Sequence, residues 1–265
     1  MRLRLLLLLL SVALAACARS PAAVRIAGST SVQPLAEVLA EAYARQGGER
    51  VTIQGGGSTA GLQALRNGVA TLAAVSRRLS AEESAQGLVP HIIGYDVLTV
   101  LVHPGNPVER LTLAQLRQLF AGEVTDWSDL GGRPGRVHLI SREAGSGSRE
   151  AFRELVGPVS PRAIIQNSSG AIRVAVMSDP QAIGYVSLGA ARLGGVRPLI
   201  IDGKAPGQVG YPLLRPLILV TAGPPRGEEA AFLRFTLGPA GQRLVQEEGI
   251  LPARPPQKEA PKERE

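Results

Sequence analysis

One local pattern recurs along this chain. A run typical of a β-strand is followed by a loop of glycine and serine, and the loop leads into a run typical of a helix. Two such loops are residues 53–60 (IQGGGSTA) and 141–148 (SREAGSGS), and a third is residues 26–32 (IAGSTSV). A strand, a glycine loop and a helix bring free backbone N–H groups and the positive end of a helix dipole to one point. Glycines let an anion approach the backbone closely, and serine hydroxyls add donors. The pattern predicts α/β structure with loops suited to holding an anion.

One loop of this kind would be explained as well by a tight turn whose serine caps a helix. Three of them at the ends of successive strands, one carrying Arg142, favour anion capture instead. The order of the apolar runs at the start of the chain indicates βαβαβ, the pattern of a sheet covered by helices.

Two apolar runs, 92–102 and 212–221, exceed the usual strand length of about 5–6 residues. A chain that leaves one domain, builds a second and returns needs two crossover strands of this kind. We therefore expect an α/β, two-lobed fold with a ligand cleft between the lobes, where strand-end loops collect. The predicted lobes are residues 24–96 with 217–251, and residues 97–216.

The start of the chain has the composition of an export signal. Arg2 and Arg4 precede an apolar run, and residues 14–17 (LAAC) resemble a bacterial lipobox, in which the cysteine is lipidated and becomes the first mature residue. The sequence predicts a signal peptide over 1–16 and an exported protein tethered to the membrane by a lipid on Cys17. A plain signal peptide with an incidental cysteine is the alternative.

Charge and composition limit the classes of partner. The formal charge is +7, and loss of Arg2 and Arg4 with the signal leaves 7 − 2 = +5, which suits an anionic ligand or membrane surface. Aromatic residues are only 3%, too few for a platform that stacks nucleic-acid bases, so no nucleic-acid partner is expected. Residues 252–265, rich in Pro, Arg, Lys and Glu, predict a disordered charged tail.

The sequence has no clear motif for nucleophilic catalysis or for metal binding. Ser146 lies in Ala-Gly-Ser-Gly-Ser rather than in the G-x-S-x-G motif of a hydrolase. His91, His103 and His138 have no identifiable triad partner, and the chain lacks paired His or Cys spacing for a metal. We therefore predict that the protein is not an enzyme and uses no metal or cofactor.

Two alternatives from other classes stay open. Residues 55–60 match the dinucleotide-binding pattern G-x-G-x-x-A between a strand and a helix. NAD sites typically have an acidic residue about 20 positions further on; this chain has Ser76, Arg77 and Arg78 there, and arginines at that place suit the additional phosphate of NADP. An NADP-dependent oxidoreductase is thus one alternative, although an exported protein meets no ready pool of NADP. A basic cell-surface adhesion module that binds polyanions is the other.

Six segments occur in an order typical of one protein family. They are residues 28–35 (GSTSVQPL), 54–58 (QGGGS), 76–79 (SRRL), 142–149 (REAGSGSR), 182–186 (AIGYV) and 211–217 (YPLLRPL). Together they resemble the phosphate-binding proteins of bacterial ABC transporters, over residues 24–251. The resemblance implies the type 2 periplasmic binding protein fold and a monomer that captures inorganic phosphate and delivers it to an ABC permease. Another oxyanion such as sulfate or molybdate, or a role in phosphate sensing or surface scavenging, is the alternative within this class.

The resemblance implies, motif by motif, nine anion-binding residues. They are Thr30, Ser31, Ser58, Ser76, Arg77, Arg142, Ser146, Gly147 and Ser148. The first three loops would belong to one lobe and the fourth to the other, so an anion would bridge and close them. The longer proteins of this family have an aspartate near the position of Ser76 that accepts the proton of hydrogen phosphate. This chain has Ser-Arg there, and Glu143 is the nearest candidate acceptor in sequence.

Overall fold

The computed structural model describes residues 23–253, so the predicted signal peptide, Cys17 and residues 254–265 lie outside the described residues. Its strands are β1 Val24–Gly28, β2 Val51–Gly55, β3 Leu72–Val75, β4 Leu88–Val102, β5 Arg110–Leu111, β6 His138–Arg142, β7 Ile164–Gln166, β8 Ala182–Ser187, β9 Arg197–Pro198, β10 Ile200–Ile201, β11 Leu214–Ala222 and β12 Leu251–Pro252. Its helices are α1 Gln33–Arg45, α2 Ser58–Arg66, α3 Ala81–Ala85, α4 Leu113–Ala121, α5 Gly147–Leu155, α6 Ser169–Ser178, α7 Leu188–Ala191, α8 Gly227–Leu237 and α9 Pro239–Glu247. Within residues 23–253, no helix is both long and apolar enough to cross a membrane.

The first lobe is built on the parallel strands β2, β1 and β3, beside which β11 runs antiparallel. Leu35, Leu39 and Tyr43, spaced four residues apart along α1, give the helix one apolar face. This face packs with Phe232 of α8 and Val245 of α9 in the main core of the lobe. The ring of Tyr43 meets that of Phe232 edge to face, 5.4 Å between centroids.

The second lobe is built on β8, β6 and β7, which run parallel to one another. Its core is aromatic, with the rings of Phe152 on α5 and Tyr185 on β8 stacked at 4.0 Å between centroids. Phe120 of α4 packs against both rings. The indole N–H of buried Trp127 donates to the carbonyl of Gln181 at 3.0 Å, so its one polar atom is satisfied.

Two long strands connect the lobes. Residues 88–97 of β4 pair antiparallel with β11, while residues 98–102 pair with β8 of the second lobe. Strand β11 in turn pairs with β3 of the first lobe. The predicted two-lobed α/β fold with two crossover strands is therefore confirmed. Both predicted lobe boundaries fall within these strands, and the boundaries themselves stay a prediction.

Some elements differ from the sequence-based expectation at their ends. Strand β4 begins at Leu88 instead of residue 92, because backbone pairing with β11 continues through Pro90 and His91, which break the apolar pattern. Two residues assigned to the predicted tail, Pro252 and Ala253, contact the folded part of the chain, and the rest of that segment lies outside the described residues. Pro252 pairs with Gly94 in the sheet, and the N–H of Ala253 donates to Gln242 Oε1 at 2.8 Å.

Candidate functional site

The N-terminal ends of three helices meet in the cleft between the lobes. Ser31, just before α1, has its Oγ 3.0 Å from Ser148 Oγ in the first turn of α5. The same Ser31 Oγ lies 3.0 Å from the Oγ of Ser169, the first residue of α6. We call Ser31, Ser148 and Ser169 the serine cluster. All three are buried, and the positive ends of the helix dipoles around them favour an anion.

Serine caps begin two of these helices, α5 and α6, and leave further backbone donors of their first turns without a partner in the helix. The N–H of Arg149 donates to Ser146 Oγ at the start of α5, and that of Ala171 donates to Ser168 Oγ at the start of α6. Each cap satisfies one backbone donor of a first turn, and the other early N–H groups have no partner within their own helix. In α5, Gly147 and Ser148 are the residues that carry these early N–H groups.

A second group of hydroxyls lines the first-lobe side of the cleft. The N–H of Ser76 donates to Ser58 Oγ at 3.2 Å, and Ser29 donates to Ser76 Oγ at 2.9 Å. The hydroxyl of Thr30 is buried and has no hydrogen-bond partner within residues 23–253. Because buried hydroxyls are normally hydrogen-bonded, this unpaired group, next to Ser31 in the chain, is consistent with a ligand contact.

Arg142 reaches the serine cluster from the end of β6. Its side chain is 2% exposed, and Nη1 donates to Ser169 Oγ at 3.2 Å. The other edge of the guanidinium donates to both carboxylate oxygens of Glu143, at 2.8 and 2.7 Å. Arg142 thus brings positive charge to the cleft, while Glu143 is positioned to balance that charge. A role for Glu143 as proton acceptor stays a prediction.

The Arg77 side chain is placed in a cluster of carboxylates. Its two Nη atoms donate to the two oxygens of Glu83 at 2.7 and 2.8 Å, and its Nε contacts Glu150 of the opposite lobe. The hydrogen bonds from Arg77 lower the pKa of the Glu83 carboxyl below its ordinary value. The guanidinium therefore joins α3 to α5 at the cleft wall, instead of pointing its donors at the serine cluster.

The two lobes are closed on each other. The N–H of Thr59 in α2 donates across the cleft to the carbonyl of Gly145, at 3.1 Å. Gly145 has φ +84° and Gly57 has φ +93°, a backbone conformation that favours glycine, and a Cβ on Gly145 would lie 3.2 Å from the Cβ of Thr59. Ser31 and Ser148 also come from opposite lobes, so the predicted ligand residues of both lobes line one narrow space.

Three buried residues of the site are absent from the sequence-based set. Ser169 lies in Ser168-Ser169-Gly170, which resembles the other loops in combining serine and glycine between a strand and a helix, and that signal could have found it. Asp96 and Arg215 form an ion pair between the two crossover strands, each side chain 1% exposed. Arg215 lies inside the segment 211–217 of the family resemblance, but local sequence gives no indication of its partner.

A family model describes most of this chain. Residues 15–240 match the model of the PBP superfamily domain. The chain belongs to this family. Its two α/β lobes, crossover strands and closed cleft agree with membership, and the resemblance based on the six segments is confirmed.

Similar PBP-family proteins have been characterised by sequence and structure. The chain is 27% identical to the phosphate-binding protein PstS of Borreliella burgdorferi, over 86% of this chain and 89% of that protein. A solved chain from Clostridium perfringens with bound phosphate is 32% identical, with a TM-score of 0.82 over 87% of this chain and 99% of that one. An ABC-type phosphate transport receptor from Vibrio cholerae is also 32% identical, with a TM-score of 0.72 over 86% and 99% of the two chains.

Proposed function

We propose that this protein is an exported solute-binding lipoprotein that captures inorganic phosphate in the cleft and delivers it to an ABC permease. The observation that carries the proposal is the serine cluster, three buried hydroxyls at helix N-termini with Arg142 beside them. The similar proteins whose names specify phosphate binding and phosphate transport support the choice of ligand.

The proposed ligands are donors from both lobes, so that phosphate binding and lobe closure are one event. They are Thr30, Ser31, Ser58, Ser76, Arg142, Ser146, Gly147 and Ser148 of the predicted set, together with Ser169. We assign Arg77 to the wall of the cleft, where its ion pairs with Glu83 and Glu150 join the lobes. Binding without catalysis is the activity we propose, with no metal or cofactor.

The energetics of such a site are sufficient for capture from dilute solution. A hydrogen bond to a charged group contributes roughly 1.5–3 kcal/mol, and micromolar affinity corresponds to about −8 kcal/mol. Eight or so donors therefore exceed the requirement after the entropy cost of closing the lobes. Neutral donors and helix ends carry most of the interaction, which is why a dianion needs only one or two formal positive charges nearby.

The structure weakens the case for the NADP alternative. Arg77, which would have to bind the additional phosphate of NADP, has its donors on Glu83 and Glu150. The glycine loop at Gly57 faces Gly145 of the opposite lobe, with only 3.4 Å between a Cβ built on Gly57 and the Gly145 carbonyl oxygen. A dinucleotide laid along this loop would have to displace the second lobe.

Calorimetry on stripped protein tests the phosphate proposal. The mature chain is unfolded and refolded in phosphate-free buffer to remove bound anion, and is then titrated with phosphate, sulfate and molybdate. We expect micromolar or tighter binding of phosphate, and weaker binding of the other two, because the similar proteins are named for phosphate and because only hydrogen phosphate carries a proton for an acceptor such as Glu143. Tighter binding of sulfate or molybdate would move the assignment to that anion. No binding of any of the three below millimolar concentration would contradict the proposal.

The lipid anchor is tested by Cys17→Ser in the full-length chain. The substitution removes the thiol that would carry the acyl chains, so we expect the protein to move from the membrane fraction to the soluble exported fraction. The matched control is Ser20→Ala, three residues further on, which should stay with the membrane. A Cys17→Ser protein that has lost its signal peptide, as shown by its intact mass, and still remains in the membrane fraction would show that the tether is not a lipid on this cysteine.

A further inference from the structure

A buried ion pair joins the two crossover strands at the point between the lobes. Asp96 on β4 and Arg215 on β11 lie directly opposite each other in the antiparallel register. Asp96 Oδ2 accepts from Arg215 Nε at 3.0 Å and from Nη2 at 2.8 Å, while Oδ1 accepts from Ser187 at 2.9 Å. Both oxygens of the carboxylate are therefore engaged, and two donor groups of the arginine are directed away from the cleft.

The remaining nitrogen of Arg215 contacts both halves of the anion site. Nη1 donates to Ser148 Oγ at 2.6 Å, and it lies 3.4 Å from the carbonyl oxygen of Ser76. Ser148 is a member of the serine cluster that comes from the second lobe, and Ser76 directly follows β3 of the first lobe. The guanidinium of Arg215 thus lies between the lobes and contacts a loop of each lobe.

The pair completes a continuous chain of polar contacts through the site. From Arg215 the contacts run to Ser148, to Ser31, to Ser169 and to Arg142. The serine cluster is thereby flanked by a buried arginine on either side, and each arginine is paired with one carboxylate. Replacing a buried ion pair by apolar residues often leaves stability unchanged or improves it, so stability alone gives a poor account of this pair.

We propose that Arg215, held by Asp96, is a positioning residue of the anion site. It fixes the hydroxyl of Ser148 towards the ligand, and it supplies a second positive charge close to the bound anion. The inference rests on the phosphate-binding function proposed above. Asp96 contacts Nε and Nη2, whereas Nη1 faces Ser148, so the positive end of the ion pair is nearer the site and should favour the doubly charged form of phosphate.

The test compares three proteins by calorimetry with inorganic phosphate, after phosphate stripping. They are the wild type, the double variant Asp96→Asn/Arg215→Met, which removes both charges together and leaves neither buried alone, and Arg215→Lys, which keeps the positive charge. Titrations are run at alkaline pH, where phosphate is mainly a dianion, and at acidic pH, where it is mainly a monoanion. Thermal unfolding checks that each variant is folded, and Glu109→Gln/Arg197→Met is the control for loss of an ion pair in the second lobe.

We expect the double variant to bind the dianion about tenfold more weakly than the wild type, with a smaller loss for the monoanion. Arg215→Lys should recover most of the preference for the dianion, and the control pair should bind as the wild type does. A double variant with wild-type affinity, or with equal losses at both pH values, would overturn the inference. If the double variant fails to fold, Asp96→Asn/Arg215→Gln, which also removes both charges but keeps polar side chains, is measured in its place and judged by the same two outcomes. A wild-type protein that binds no phosphate would instead overturn the proposed function itself.

Discussion

Gly147→Ala is expected to weaken phosphate binding by about a hundredfold. A Cβ at this position would lie 2.7 Å from Ser76 Oγ, 3.1 Å from Ser58 Cβ and closer still to Ser58 Oγ. Ser58 and Ser76 belong to the first lobe and Gly147 to the second, so the new methyl group would hold the lobes apart. Rotation of the two hydroxyls would relieve the clash only by breaking the Ser76 N–H to Ser58 hydrogen bond and moving two proposed ligands.

The matched control for this substitution is Gly170→Ala. Gly170 occupies the first turn of α6, is exposed, and would place its Cβ no closer than 4.0 Å to Ser168 Oγ. Calorimetry with phosphate should show the large loss for Gly147→Ala alone, and small-angle scattering with phosphate should show a more open molecule for that variant than for the control. Wild-type affinity in Gly147→Ala would mean that closure at Ser58 and Ser76 is not part of binding.

Arg142→Ala should weaken phosphate binding at least tenfold, since it removes a buried cation from the anion site. Two effects add. The donor to Ser169 disappears, and the carboxylate of Glu143 is left without the arginine that both its oxygens contact. An unbalanced carboxylate next to the site would repel a dianion. Titration calorimetry at alkaline pH measures the combined effect.

A second substitution separates the two effects of losing Arg142. Adding Glu143→Gln to Arg142→Ala removes the repelling charge, so the double variant should recover part of the lost affinity. Arg153→Ala is the control, because Arg153 lies exposed on the same lobe in α5. An unchanged dissociation constant in Arg142→Ala would remove this arginine from the binding site.

The local elements could be predicted well because near neighbours in sequence determine them. The interior of α1 follows from apolar residues four apart, and α4 ends at Gly122, whose left-handed conformation favours glycine. The short helix α3 is too short to show apolar periodicity, but Ser80 and Glu83 form a capping box at its start. The Glu83 N–H donates to Ser80 Oγ at 3.1 Å, and the Ser80 N–H donates to Glu83 Oε2 at 2.9 Å. That spacing is visible in the sequence and was a usable signal.

The partners of the arginines could not be predicted in the same way. Arg77 follows Ser76 in a loop of the predicted site, yet its guanidinium direction depends on Glu83 and on Glu150, which only the packing of α5 brings near. Asp96 and Arg215 are 119 residues apart, and their meeting depends on the register of β4 against β11. The periodicity of apolar residues along either strand does not indicate which residue of β4 pairs with which residue of β11.

The sequence by itself determined the local units of the candidate site: strand, glycine–serine loop and helix, with free N–H groups where each helix begins and a capping serine in α5 and α6. These depend on backbone sterics and hydrogen bonds among residues a few positions apart. Only the tertiary structure decided that Ser31, Ser148 and Ser169 meet, since they are separated by 117 and 138 positions and come from two lobes. Their meeting requires β4 and β11 to join the lobes, and this long-range pairing also places Arg215 beside the site.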